Sequence, residues 1–194
     1  MESSANRKYF QLTAEQLDKV GNAMIFLSEK IPDIPKTKML KLLYILDEFS
    51  IRNSGIPFFN LQYKVWKLGP VAEDIFIELS DKLFRFDKYI TVESNENKVK
   101  IYPKSDFCDD EFSDNDIKLL EYVSEKFKET TSSELIAYTH RPHSLWRRTA
   151  EANDVYRKFE NEEINITDII INMGELVEHD ERKKNIFEQY IREK

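Results

Sequence analysis

The sequence predicts a mainly helical α+β domain with a small antiparallel sheet or hairpin. Four glycines and six prolines in 194 residues are few, which disfavours a turn-rich sandwich or barrel. Apolar residues recur at helical spacing in several segments, and two short segments near residues 89–102 alternate as strands do. The length suits one well-cored unit, so we predict a single domain over residues 1–194.

The first two helices are predicted from caps and apolar stripes. Thr13 and Gln16 form a capping-box pattern, which predicts a helix that continues to about residue 31. Pro32 ends it. The second helix is predicted over residues 38–53, because that stretch carries the longest unbroken apolar stripe of the chain.

The middle of the chain predicts extended segments and further helices. Residues 58–68 are rich in aromatic and apolar side chains and are interpreted as partly extended, and a third helix is predicted to begin at Pro70. Residues 89–92 and 99–102 alternate around a polar turn at 93–97, which predicts a hairpin. Ser113 and Thr131 are the predicted N-caps of two later helices.

The C-terminal tail, about residues 167–194, is predicted to be helical. Thr167 is interpreted as the cap of a helix over residues 168–172, which Gly174 bends or ends. Beyond it, a narrow apolar stripe lies among many charged residues. Two interpretations stay open: a terminal helix docked by that stripe, or an arm that gains structure on a partner.

The net charge of −7 is concentrated in residues 106–129, which hold nine acidic residues against three lysines. This stretch is interpreted as a solvated face, with a surface for a basic partner as the sharper alternative. The overall sign disfavours nucleic acid as the main partner.

The sequence also bears on cellular location. The lone Cys108 forms no internal disulfide, residues 1–8 lack the apolar core of a signal peptide, and no apolar run approaches the roughly 20 residues that span a bilayer. The cytoplasm is therefore the expected location, with no membrane partner.

A search for catalytic groups predicts no enzyme and no catalytic, cofactor-binding or metal-binding residue. His140 and His143 are three residues apart, but Pro142 between them indicates a turn and not a helical metal site. The preferred interpretation is structural: Thr139 and His140 hydrogen-bond around the turn while Trp146 packs beneath it. No nucleophile elbow and no phosphate-binding glycine loop is present in the sequence.

Two groups of basic residues have a structural and a functional interpretation. Arg141, His143, Arg147 and Arg148 surround Trp146, as in a single-strand binding site, but the arginines are expected to pair with the acidic stretch. The lysines at the start of helix two are interpreted as its polar face, namely Lys36, Lys38 and Lys41.

Two blocks of residues carry a family resemblance. The first resembles Lys-Leu-Leu-Tyr with a following acid, then Gly-x-Pro, then Trp-x-x-Gly-Pro-Val; the second resembles Leu…Thr-His…Trp. This pattern is similar to the signature of the Panacea domain family, found in antitoxins of bacterial and phage toxin–antitoxin pairs, and it covers about residues 17–159. The matching scaffold residues are Lys41, Leu42, Leu43, Tyr44, Asp47, Gly55, Pro57, Trp66, Gly69, Pro70, Val71, Leu135, Thr139, His140 and Trp146.

The resemblance implies an antitoxin that neutralises a cognate protein toxin, encoded nearby, by direct protein–protein binding. It implies diverse toxins, small alarmone-synthetase-like ones among them, a role in some relatives as proteolytic adaptor, and a higher-order toxin–antitoxin complex as one form. Exposed aromatic residues are expected at the interface, with Phe58, Phe59, Phe187 and Tyr190 as candidates. The alternatives are a nucleic-acid-binding transcriptional regulator of its own operon and a metal-dependent enzyme that uses His140 and His143.

Overall fold

A computed structural model describes residues 12–80, 85–95 and 98–194. The interpretation of residues 1–8, and the part of the predicted 93–97 turn at residues 96–97, lie outside this range. The helices are α1 Ala14–Lys30, α2 Lys36–Ser54, α3 Glu73–Glu78, α4 Asp114–Phe127, α5 Ser132–Thr139, α6 Leu145–Ala152, α7 Tyr156–Glu160, the 3-10 helix Met173–Val177 and α8 Glu181–Glu193. The strands are β1 Ile34–Pro35, β2 Lys64–Trp66, β3 Gly69–Val71, β4 Ile90–Asn95 and β5 Lys98–Pro103. The mainly helical α+β class is thereby confirmed.

Helix α2 is the centre of the core. It contacts α4, α5, α8, the 3-10 helix and strands of both sheets, and its apolar side chains from Met39 to Leu46 are buried. Gly55 ends it in the left-handed conformation at φ 83°, where a side chain would be strained. The capping boxes at Thr13, Ser113 and Thr131 are all formed, which confirms the predicted starts of three helices.

The predicted hairpin is confirmed as β4 and β5, paired antiparallel with Val92 opposite Ile101. Strand β1 adds to the outer side of β5 through Ile34 and Pro35, giving the order β1-β5-β4. Ile34, Ile90 and Ile101 are fully buried, and α1 packs against β5. One face of this sheet therefore closes the core over α1.

A second, two-stranded sheet replaces the predicted third helix at Pro70. Pro70 lies in β3, paired with Val65 of β2, and α3 begins only at Glu73. Proline fits there because β3 is short and because Pro70 needs no amide to donate. Gly69, at φ 103°, lets the chain reverse tightly between the strands.

The helix predicted over residues 168–172 is wrong. Residues 165–171 instead run extended beside β2, with Val65 N donating to Ile169 O and Ile171 N to Tyr63 O. Thr167 Oγ1 donates to Val65 O at 2.6 Å rather than capping a helix. The backbone bonds to β2 outweigh the local helical preference of a short segment.

The tail after Asp180 forms α8, one of the two alternatives raised by the sequence. No residue of α8 is buried, but Phe187 packs against the core and Lys183 Nζ donates to Arg52 O at 2.8 Å. Within the described residues, no helix is long and apolar enough to cross a membrane.

Candidate functional site

The two signature blocks meet at the β2–β3 hairpin, where side chains from α2, α5 and α6 reach its backbone carbonyls. Trp146 Nε1 donates to Trp66 O at 3.0 Å, His140 Nε2 lies 3.0 Å from Lys67 O, and Lys41 Nζ donates to Pro70 O at 3.0 Å. Three carbonyls of one tight hairpin are therefore held by side chains that the sequence separates by about a hundred positions. This arrangement explains why the two blocks occur together.

Lys41 is buried, contrary to its predicted place on the polar face of helix two, and so is Lys38. Lys38 Nζ donates to Lys128 O at 2.6 Å, which joins α2 to the end of α4. Burial lowers the pKa of Lys41 to about 7, because the interior penalises the ammonium ion. The sequence pattern did not predict the burial of either lysine, because lysine side chains are normally exposed to solvent.

His140 is held from both sides. Its Nδ1 lies 2.5 Å from Ile136 O, and its ring contacts Trp146 with centroids 3.7 Å apart. Burial lowers the pKa of His140. Thr139 Oγ1 donates to Ile136 O at 2.9 Å, and Trp146 is 1% exposed. The predicted hydrogen bonds of Thr139 and His140 and the predicted packing of Trp146 are confirmed.

Gly69 is required by close packing as well as by its backbone angles. A Cβ atom there would lie 2.7 Å from Thr139 Oγ1 and 3.0 Å from Lys41 Cε. A methyl group would therefore push apart the two signature blocks at their point of contact.

Asp47 organises the loop after α2. Its fully buried carboxylate accepts hydrogen bonds from Phe59 N at 2.7 Å, Asn60 N at 3.3 Å, Leu61 N at 3.4 Å and Tyr63 Oη at 2.7 Å. Burial raises the pKa of Asp47, and these four donors oppose the rise. The acidic position of the signature thus serves to fold residues 59–63 against the helix.

The remaining scaffold positions are structural too. Leu42, Leu43, Tyr44 and Val71 are at most 4% exposed, and Gly55 and Pro57 are buried. Tyr44 packs edge-on against Tyr63 with ring centroids 5.1 Å apart. Trp66 is 8% exposed and packs edge-on against Phe76. The predicted burial of Leu43, Tyr44, Trp66 and Trp146 is confirmed.

Glu48 is a buried acid that sequence reasoning missed. It is 1% exposed, and its Oε1 accepts from Arg141 Nη2 at 2.9 Å and from Arg52 Nε at 3.2 Å. Arg141 also stacks on the Tyr138 ring at 4.0 Å. These contacts tie α2 to the turn after α5. The only available sequence signal was the i, i+4 spacing of Glu48 and Arg52, which is common on exposed helices.

The arginine cluster is ion-paired, although not with the acidic stretch that the sequence indicated. Arg141 pairs with Glu48, Arg147 with Glu151, and Arg148 with Glu175 and Glu178. The predicted partners were wrong because the fold places α6 beside the 3-10 helix. The cluster offers little uncompensated charge to a phosphate backbone.

The expectation that Phe58 and Phe59 are exposed is wrong. Both are 2% exposed, and their rings touch each other with centroids 4.6 Å apart. The Asp47 carboxylate pulls this loop inward by its bond to Phe59 N. Phe187 and Tyr190 are half-buried on α8, and their predicted role in toxin binding stays a prediction.

His140 and His143 do not form a joint site. Both ring nitrogens of His140 face backbone carbonyls, whereas His143 is exposed and stands at φ 63° on the turn. Among the described residues, no group of three or more His, Cys, Asp or Glu side chains is placed to hold a metal ion.

Large apolar side chains are exposed in two areas. Leu68, Ile166 and Ile170 are 55%, 59% and 52% exposed beside the β2–β3 hairpin. A groove between α2, α4 and the end of α8 is lined by Phe49, Ile56, Leu119, Tyr122 and Tyr190. Within the described residues, these two areas present apolar surface to a macromolecular partner, whereas most signature residues are buried.

Comparison with known proteins agrees with this geometry. A family model described as "Antitoxin SocA-like, Panacea domain" matches residues 39–147, more than half of the chain. That range contains both blocks that meet at the hairpin. No curated protein and no solved structure matches the chain. The match over the two blocks shows that the chain belongs to the SocA-like antitoxin family with a Panacea domain.

Proposed function

We propose that this protein is an antitoxin that neutralises a cognate protein toxin by binding it directly, in the cytoplasm and without catalysis. The observation that carries the proposal is the family match over residues 39–147. Antitoxin membership implies a toxin partner in general terms, whereas the identity of the toxin has to come from experiment.

The role of the signature residues supports a binding function. Lys41, Asp47 and His140 direct their polar atoms at backbone groups of the same chain. Catalytic groups face a substrate site instead. The signature is therefore a scaffold that holds the surface of the hairpin in one shape, and a preformed surface binds with less loss of conformational entropy.

The test is co-expression with the protein encoded beside this gene. We expect growth to be rescued and the two proteins to co-purify as a stable complex, with an interface of about 1,200–2,000 Å² in total. Rescue without a complex would contradict direct binding. A chain that neither binds nor rescues, yet shifts its own promoter DNA at physiological salt, would instead support the regulator.

A further inference from the structure

Residues 165–171 form the outer edge of the small sheet, antiparallel to β2. Three backbone bonds join them: Lys67 N to Asn165 O at 2.9 Å, Val65 N to Ile169 O at 2.9 Å, and Ile171 N to Tyr63 O at 2.8 Å. With the β2–β3 pair, this gives a three-stranded ribbon in which β2 is central. Residues 165–171 are therefore one edge of this ribbon, and β3, which carries the Gly-Pro-Val of the family signature, is the other.

The register turns the backbone of Ile170 outward. Ile170 is the bridge partner of Lys64, and the hydrogen bonds are made by the residues on either side of that pair. In such a pair, the N–H and C=O groups point away from the neighbouring strand. The donor and acceptor of Ile170 thus face the open side of the sheet, as an added strand requires.

Exposed apolar side chains accompany this edge. Ile166 and Ile170 are four positions apart, which in an extended segment places both on one face, and they are 59% and 52% exposed. Leu68 is 55% exposed at the hairpin tip, next to Asn165, whose carbonyl accepts from Lys67 N. No other part of the described chain forms backbone hydrogen bonds with this edge, and an open edge with apolar side chains is unusual in a protein without a partner.

The charges indicate what kind of chain fits. Self-pairing of two copies would bring together two edges that each carry more acids than lysines, and like charges across a ladder are destabilising. Asp168 pairs with Lys64 at 2.8 Å and Glu162 with Lys67 at 3.2 Å, but the acids around this edge, Glu73, Glu162, Glu163 and Asp168, outnumber these two lysines. A segment from another protein that carries Lys or Arg would meet attraction where a second copy meets repulsion.

We propose that residues 165–171 receive an extended segment of the toxin by β-strand addition, a role that rests on the proposed function. Apolar side chains of that segment pack on Leu68, Ile166 and Ile170, and its Lys or Arg side chains face Glu162, Glu163 and Asp168. The added strand forms backbone hydrogen bonds to the outward groups of Ile170.

A matched pair of variants tests the backbone contribution. Ile170→Ala removes the side chain and keeps the amide, whereas Ile170→Pro also removes the outward N–H. Proline is tolerated on an edge strand because that N–H is not used within the sheet. In titrations against the protein encoded beside this gene, we expect the proline variant to bind about tenfold more weakly than the alanine variant. Thermal melts check that both variants fold.

A second measurement covers the case in which the proline variant does not fold. Amide hydrogen exchange of Ile166 and Ile170 in the wild-type protein should slow by at least about tenfold in the complex. Equal affinities of two folded variants, or unchanged exchange at both amides in the complex, would overturn the strand addition. In those cases wild-type binding persists and the proposed function stands. Failure of the wild-type protein to bind or rescue is the separate result that defeats the proposed function.

Discussion

Lys41 and Asp47 show how single charged residues organise this fold from within. Lys41 reaches the hairpin through one hydrogen bond to Pro70 O, and Asp47 gathers four donors from the loop after α2. Both side chains are buried, so each is desolvated and depends on its partners. Such groups make the folded state sensitive to pH and to isosteric substitution.

Stability should rise with pH because of Lys41. Its pKa is about 7 in the folded protein, against an ordinary value of 10.5. Between these values the unfolded chain holds a proton that the folded chain has released. The free energy of unfolding should therefore increase by up to about 1.4 kcal/mol per pH unit between pH 7 and 9.5. Urea denaturation at several pH values measures this slope. The Lys41→Met variant should lose this pH dependence, whereas Lys104→Met, a surface substitution, should keep it. Equal slopes in all three proteins would show that Lys41 is not the cause.

Asp47→Asn should cost about 2–3 kcal/mol, because the amide keeps the shape but loses the charge and turns its NH₂ group toward existing donors. Denaturant melts measure the loss. Asp110→Asn, an exposed acid, is the control and should change stability by less than about 0.5 kcal/mol. A loss for Asp47→Asn no larger than that of the control would contradict the proposed role of its four hydrogen bonds.

At the scale of elements, the β2–β3 hairpin depends on a helix from each side. Lys41 comes from α2, and Thr139 stands at the end of α5. Gly69→Ala should destabilise the protein by at least about 2 kcal/mol, because Gly69 has φ 103° and a Cβ atom would strike Thr139 Oγ1. Thermal melts measure this loss of stability. A double variant with Thr139→Ser, which keeps the hydroxyl, should stay destabilised, whereas full stability of Gly69→Ala would show that the contact can relax.

The tail contains two elements of different importance. Leu176 and Val177 of the 3-10 helix are 9% and 3% exposed, while α8 has no buried residue. Truncation after Asp180 should therefore keep the fold and lower stability by about 1–2 kcal/mol, whereas truncation after Gly174 should cost more because it removes two core side chains. Circular dichroism melts compare the two. If the protein truncated after Asp180 still rescues growth, α8 contributes only to packing. If rescue is lost while the fold persists, α8 belongs to the toxin interface.

For the whole molecule, we expect the uneven charge to affect the rate of association with the toxin more than the rate of dissociation. Residues 106–129 contribute nine acids against three lysines, close to the entire net charge of −7. Neutralising Asp109, Asp110 and Glu111 should lower the association rate with a basic toxin severalfold and weaken its salt dependence, with little change in dissociation. Stopped-flow or surface-binding kinetics at two ionic strengths measure both rates. A change confined to dissociation would place these residues inside the interface instead.

Local sequence determined the elements whose causes are local. Thr13, Ser113 and Thr131 start helices because each hydroxyl accepts from an amide three residues later. The β4–β5 hairpin follows from alternation in two adjacent segments. The burial of Tyr44 and Trp146 was also predictable, since large apolar residues at signature positions need a core.

Tertiary structure alone decided the features that depend on distant partners. Lys41 enters the interior because Pro70 O lies there to accept its hydrogen bond, and Phe59 turns inward because the Asp47 carboxylate accepts a hydrogen bond from its amide. Residues 165–171 become a sheet edge because they form backbone hydrogen bonds with β2, which lies about a hundred positions earlier in the chain. No local sequence pattern predicts these bonds. The sequence by itself thus determined the capped helices, the β4–β5 hairpin and the family. The three-dimensional fold decided which charged groups are buried and which apolar surface is left open, because both depend on pairing between groups far apart in the chain.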